Sequence, residues 1–557
     1  MKLKVHVCND KKERTFCRIS LYKQSKSTVD DKPSTFYCDG EYEFELEPGE
    51  YRVEFHKGQL YQPVRKQMVI DDMDVVVEVV LTELIDTKRM GLYSFDAHSH
   101  VSRNLKLKAG NLENASMIMK GEDFNFFFAG SPYDQETHIQ NINNQYDDDV
   151  TFREKYAERI HAINSKSFIV DIGNEIVKCR FGHMFLMNHE QASPYSKYYD
   201  ASWDPWLFTK VGEEPEYCIP YPFEALGKEK GINSVAVAAH PTSWWHHQGE
   251  FISNIAATIG FEILAESIDA MVIMGYDSDH VHYQRLWYDA LNNGYFMPGV
   301  AETDHTFDSN SQKHLVFKTY TYLDEFGIDA LCSSVKAGRN LVSSGPILLL
   351  KVNDQRPGSV MNYGEDEMFN LHIEAWRCHQ ATLCRIQLII NGEVWKEYSI
   401  NDDRYDLKEK LSVNQDSYIL AKCYDSAGNV AITNPVYIRN KPFENRGFRS
   451  EVTVKVTQDG KRMNGRFWID DNISKATFSE EFQCEINVTS EVNIEVGGIV
   501  KKVKLFELDE LQHIFKNLYF GYFNSHNRYA PGEVPAEYFE LSRIKKILNK
   551  VDLEISF

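Results

Sequence analysis

The residues best able to do chemistry in this 557-residue chain are histidines and carboxylates placed just after apolar, strand-like runs. Asp96-Ala-His98-Ser-His100 follows Gly91–Phe95 directly. On a strand, residues two apart face the same side, so both imidazoles can converge on one ion at the strand's carboxyl end. The spacing alone is cheap: with 19 histidines, about 0.6 such pairs are expected by chance. His280-Val-His282 is a second example. What sets the first pair apart is its company. Glu175 follows Phe168–Ile172, His183 stands in Phe181-Gly182-His183, His240 follows Val235–Ala239, and Asp304-His305 follows Met297–Ala301. Each of these alone also fits a structural role: a helix cap for Glu175, a hydrogen-bonded core residue for His240, an N-cap for Asp304. Together they recur at successive strand ends, where a metal cage would be assembled. Buried imidazoles and carboxylates need partners, and a shared cation supplies them.

The elements that must position these residues change texture along the chain. Residues 1–88 read as a β-sandwich-like domain, with Pro48-Gly49 as hairpin chemistry inside Tyr42–Phe55 and a further strand at Val75–Leu81. Across 89–346, strand-like runs (Phe124–Ala129, Phe168–Ile172, Val235–Ala239) alternate with helical candidates (Thr151–Ile163, Asp269–Met274, Tyr283–Asn292). That alternation predicts an α/β class with a parallel sheet or barrel, whose chemistry sits at the carboxyl ends of the strands. Residues 347–445 return to β texture as a second sandwich domain, with strands at Ile347–Val352, Glu367–Trp376, Arg385–Ile390 and Tyr418–Tyr424 and a turn at Asn391-Gly392. Residues 446–557 form a further β region, with Asp459-Gly460 as a turn and helical patterns at Leu508–Leu518 and Phe539–Asn549.

Composition narrows the function class. The balance of 61 basic and 82 acidic residues gives a net charge of −21, which disfavours nucleic acid and anionic membrane as partners. No apolar stretch reaches about 18 residues, so no membrane span is expected. The opening MKLKVHVCND lacks the apolar core of a signal peptide, and the ten cysteines include no CxxC pair. The expectation is a cytoplasmic protein with reduced thiols, in which the sequons at Asn472 and Asn487 carry little weight. No G-x-S-x-G run supports a serine hydrolase.

The ordered set Asp96–His100 (DAHSH), Gly173–Glu175, Phe181–His183, Ala238–Pro241 (AAHP) and Glu302–His305 (ETDH) resembles the PHP-type metallohydrolase domain, and more closely the CehA/McbA family of metallohydrolases. Trp287–Asn292 with Gly294, Ala337-Gly338-Arg339 through Ser344-Gly345-Pro346, Pro357-Gly358 and Leu388–Val394 are similar to that family's later landmarks. The resemblance covers roughly residues 90–440. It implies a distorted (β/α)7 barrel, flanked here by N- and C-terminal β-sandwich domains, that binds two divalent ions (zinc, manganese or iron). By resemblance, His98, His100, Glu175, His183, His240 and Asp304 are the metal ligands. Asp96 orients a ligand histidine or binds metal directly.

Two departures stand out. The second-strand Thr-Asp-His usual in such domains is replaced by FFFAGSPYD at 126–134, so a third ion would depend on Asp134 or His138. His305 directly follows Asp304; on an extended strand the two would face opposite ways, which suits His305 to proton donation at the pocket edge. His280 is a second donor by residue type. The implied function is a metal-dependent hydrolase cleaving an ester-type bond of a small molecule with a metal-activated hydroxide. A phosphoester would be met by Arg103 and Arg180, with Lys106 and Lys108 nearby; a carboxylic or carbamate ester would not need them. Trp203, Trp206, Trp244, Trp245 and Tyr276 either shape a pocket or belong to the core. The flanking β domains would narrow the mouth or build a homo-oligomer. The alternative is a non-catalytic carbohydrate- or protein-binding protein with a degenerate metal site.

Overall fold

The computed structural model describes residues 1–23, 33–71, 73–101, 111–130, 157–178, 182–188, 203–204, 209–210, 233–247, 250–255, 259–275, 280–307, 315–365, 367–379, 381–444, 448–505, 508, 511 and 541–557. Strands arranged in several sheets make up most of these residues, and helices are few.

At the N-terminus, a three-stranded sheet (Glu41–Glu45, Lys2–Asn9, Val75–Leu81) and a four-stranded sheet (Ser34–Cys38, Cys17–Lys23, Gly49–His56, Val64–Ile70) share one core, which includes Leu3, Val5, Ile19, Val53 and Phe55. Lys2–Asn9 alternates exposed and buried positions, as a strand with one dry face must. The expected hairpin at Pro48-Gly49 is not formed. Glu41–Glu45 pairs with Lys2–Asn9, whereas Gly49–His56 pairs with Cys17–Lys23 and Val64–Ile70, so the turn carries the chain from one sheet to the other.

The centre is one large mixed sheet. Its order runs Gly299–Glu302, Ala270–Gly275, Val235–Ala239, Gly182–Met187, Ile169–Lys178, Phe126–Gly130, Leu92–His100, Lys318–Tyr322, Asn340–Ser343, and then into Val430–Thr433, Ser417–Asp425, Leu383–Ile390 and Glu393–Asp402. This layout overturns the (β/α)7 barrel and the α/β class expected from the sequence. Such a barrel needs successive parallel strands joined by helical crossovers. Here Ile169–Lys178 and Gly182–Met187 are antiparallel, because three intervening residues cannot make a crossover. Val235–Ala239 is antiparallel to Gly182–Met187, Lys318–Tyr322 is antiparallel to Leu92–His100, and the sheet runs on into the C-terminal β module.

Ala270–Gly275 is a strand with all six residues buried, not the helix expected over Asp269–Met274. A short unbroken apolar run has no periodicity with which to separate the two. The helix expected over Tyr283–Asn292 is present as His280–Asn292 and seats Trp287 in the core, where its indole N–H donates to Met297 O at 2.7 Å.

In the C-terminal half, a three-stranded sheet (Ile347–Val352, Met368–Trp376, Arg404–Ser412) packs across a shared core against the far strands of the large sheet. Asn391-Gly392, both at positive φ, turns the chain there as expected. The described residues beyond 449 form an eight-stranded sheet, of which Lys550–Ser556 is the last strand, and the helix Leu541–Asn549. Its apolar residues, including Val452, Val454, Ile494 and Ile544, belong to the same continuous core as Ala238, Phe261, Met271 and Trp287 of the centre. No described helix is long and apolar enough to cross a membrane.

Candidate metal centre

Three strand ends build the centre. Leu92–His100 brings His98 and His100, Val235–Ala239 delivers His240, and Gly299–Glu302 delivers Asp304 one residue on, after Thr303. Leu92–His100 runs parallel to Phe126–Gly130 with a register shift between Asp96 and Ser99, a bulge just where the histidine pair begins. Bulges re-aim side chains at sheet edges and sites. The short strand His305–Thr306 then pairs with Ser99 and His100, pinning the segment after Asp304 against the histidine pair.

The donor atoms converge. Nε2 of His98 and Nε2 of His100 lie 3.1 Å apart. Asp304 Oδ1 is 3.4 Å from the first and 3.3 Å from the second, and Asp304 Oδ2 is 3.9 Å from Nε2 of His240. The rings of His98 and His240 stack with centroids 5.4 Å apart. All three histidines are buried. Donor atoms of His98, His240 and Asp304 all lie within 4.8 Å of one another, and ligands of one tetrahedral ion are about 3.4 Å apart; His100 adds a nitrogen beside His98 and Asp304.

Glu302 settles the tautomer. It is fully buried, and its Oε2 lies 2.9 Å from Nδ1 of His98. The carboxylate can only accept, so Nδ1 carries the proton and Nε2 presents a lone pair toward His100 and Asp304. In the neutral ring that lone pair faces a carboxylate oxygen, and a cation between the two would satisfy both. The donor set therefore fits a divalent ion. The other oxygen of Glu302 accepts the backbone N–H of His240 at 2.6 Å, so one carboxylate sets two of the donors.

Two of the site residues sit in the left-handed region. His240 has φ 22° and Asp304 φ 46°, both in the left-handed region that costs a non-glycine residue about 1 kcal/mol. Because Asp304 is not extended, the alternation expected between Asp304 and His305 does not apply.

Asp96 meets His98 through the backbone. Its Oδ1 accepts the backbone N–H groups of His98 (3.1 Å) and Thr303 (3.0 Å), and the Thr303 hydroxyl donates to Oδ2. It ties the strand end to the segment carrying Asp304. Burial pushes its carboxyl up to about 7, partly offset by these donors. His305 is buried beside Phe307, ring centroids 4.8 Å apart, and its backbone N–H donates to Thr303 Oγ1.

Other expected residues are placed by backbone alone. Glu175 pairs in register with Phe185, and His183 pairs with Ala239, the neighbour of His240. The side chains of Glu175, His183, His280, His282, Trp203, Trp244 and Trp245 lie outside the described residues, as do Arg103, Lys106, Lys108, Asp134, His138, Arg180, Trp206 and Tyr276. Glu302 was missed as a functional residue although it stands inside the quoted ETDH motif. The signal was its position as the last residue of an apolar strand, where a carboxylate cannot reach water.

No family model and no curated protein matches this chain. Among solved structures, the major pilin subunit BcpA of Bacillus cereus aligns over 100% of this chain and 98% of its own, at 8% identity and a TM-score of 0.22. A Bacteroides uniformis β-glucuronidase aligns over 88% and 76%, at 8% identity and TM-score 0.16. A Mobiluncus mulieris adhesin aligns over 27% and 80%, at 8% identity and TM-score 0.13. Scores this low carry neither a shared fold nor a shared activity.

Proposed function

We propose that this chain is a divalent-metal-dependent hydrolase of an ester-type bond in a small molecule, with His98, His100, His240 and Asp304 holding the ion. The observation that carries the reading is that the Asp304 carboxylate lies 3.3–3.9 Å from an imidazole nitrogen of each of His98, His100 and His240, with Glu302 fixing the proton of His98. The motif likeness to CehA/McbA metallohydrolases supports the same chemistry through residues alone, and the expected barrel contributes nothing to it.

An ion held there would polarise the scissile carbonyl or phosphoryl oxygen and lower the pKa of a bound water toward neutrality. The chain supplies the rest. Glu302 keeps Nδ1 of His98 protonated and Nε2 basic. Asp96 and Thr303 hold the turn that presents Asp304. His305 is the candidate to hand a proton to the leaving group, because an imidazole titrates near neutrality. Glu175 and His183 are the proposed ligands of a second ion.

The test is elemental mass spectrometry of protein purified without a metal-binding tag, followed by a screen of carboxylic, carbamate and phosphoric esters. One to two equivalents of zinc, manganese or iron are expected, falling below about 0.2 in Asp304→Ala with loss of hydrolysis. Under about 0.2 equivalents in the wild type, unchanged on adding metal back, would sink the reading. A second reading is a carbohydrate- or protein-binding protein with a degenerate site. The predominance of strands in several sheets is the observation in its favour. Its mark would be ligand affinity that survives Asp304→Ala.

A further inference from the structure

We propose that Cys17 and Cys38 are a modification site: a dithiol that closes reversibly to an intramolecular disulfide in the N-terminal β module. The sequence reading treats all ten cysteines as isolated reduced thiols, and the twenty residues between these two hide their relation. In the fold they are direct cross-strand partners, Cys17 opposite Cys38 on the antiparallel strands Cys17–Lys23 and Ser34–Cys38. Their sulfur atoms lie 3.6 Å apart. Opposed residues of an antiparallel pair have Cα atoms about 4.5–5.5 Å apart, inside the span a disulfide bridges, so closure needs side-chain rotation and little backbone movement.

The local chemistry favours Cys38 as the attacking sulfur. The pairing of the two thiols and the neighbouring Gly40 backbone lower the pKa of Cys38, while the same pairing and burial raise that of Cys17. With a peroxide as oxidant the step balances. The Cys38 thiolate attacks one peroxide oxygen, the O–O bond breaks, and hydroxide leaves as water after taking a proton. The Cys17 sulfur, losing its proton, then attacks the Cys38 sulfenic acid; the S–S bond forms, the S–O bond breaks, and a second water leaves. Two thiols lose two electrons and the peroxide gains them.

The pair also sits where bracing has a consequence. The next residues along each strand dock the module onto the centre: the Tyr37 hydroxyl donates to Glu122 Oε1 at 2.7 Å, and an Arg18 nitrogen lies 3.1 Å from the same oxygen. A disulfide would lock the register of the two strands that carry this contact.

The experiment treats the whole chain with stoichiometric hydrogen peroxide, quenches by acidic alkylation, and maps the peptides by mass spectrometry. The expected result is one linked pair, Cys17 to Cys38, about 2 Da lighter than the two thiols and restored by dithiothreitol. Cleavage within the N-terminal module by thermolysin should slow about tenfold or more on oxidation of the wild type, and not in Cys38→Ser. Oxidation that consumes the partly exposed Cys8 and Cys384 without linking Cys17 to Cys38 would overturn the proposal, as would linkage of either residue to another cysteine.

Discussion

At the scale of single residues, Glu302 ties two donors of the centre together. It accepts from Nδ1 of His98 through one oxygen and from the backbone of His240 through the other. Glu302→Gln keeps the shape and offers an amide whose charge no longer favours a protonated Nδ1. Metal affinity should fall about 10–100-fold, read by competition with a chromogenic chelator, with the far-ultraviolet dichroism unchanged. An unchanged affinity would remove Glu302 from the site. Lys422 makes a separate point about charge. It is buried against Gln284 and the Tyr288 ring, and burial lowers its pKa from 10.5 to about 8. The folded chain sheds this proton before the unfolded chain does, so the unfolded state binds more protons between pH 8 and 10.5. This residue's contribution to stability therefore rises with pH across that window. Lys422→Met should flatten that rise and add about 1–3 kcal/mol at pH 7, measured by urea unfolding at several pH values.

At the scale of elements, the centre depends on where strands end. Gly275 closes Ala270–Gly275 at φ 152°, and a Cβ there would run into the carbonyl oxygen of Glu302 and lie 2.9 Å from its Cγ. Gly275→Ala should cost about 2 kcal/mol or more and weaken metal binding together with it, because the strand bearing Glu302 must move. Loss of stability with undiminished metal affinity would show that this packing does not position the carboxylate. The bulge in Leu92–His100 and the left-handed backbone at His240 and Asp304 belong to the same level. They bend three strand ends toward one point.

At the scale of the whole molecule, the last β region is continuous with the centre. Val452, Ile494, Ile544 and Leu548 share a core with Phe261, Met271 and Trp287. The helix Leu541–Asn549 lies against Ile259–Leu264, where a Cβ on Gly260 would meet Ile544 at 2.8 Å. A chain stopped at residue 445 would expose this apolar surface. It should bind a hydrophobic dye and lose its cooperative thermal transition, whereas a separable module would leave the transition of the remainder in place.

Local chemistry was legible from residue types alone. The spacing of His98 and His100, the strand-end placement of His240 and Asp304, the helix over Tyr283–Asn292 and the turn at Asn391-Gly392 follow from short-range periodicity and turn preference, which act within a few residues. Pairing was decided elsewhere. Whether two apolar runs lie parallel, antiparallel or in different sheets depends on which distant run buries each face, and local pattern is silent on that. This is why Pro48-Gly49 looked like a hairpin, why Ala270–Gly275 looked helical, and why alternating texture suggested an α/β barrel. The three residues between Lys178 and Gly182 did hold a clue, being too few for a crossover. By itself the sequence determined which side chains were available to hold a metal. Only the tertiary structure decided that Glu302 sets the proton of His98, that Asp96 ties the end of its strand to Thr303, and that Cys17 faces Cys38, because each of those relations is made between segments apart in the chain.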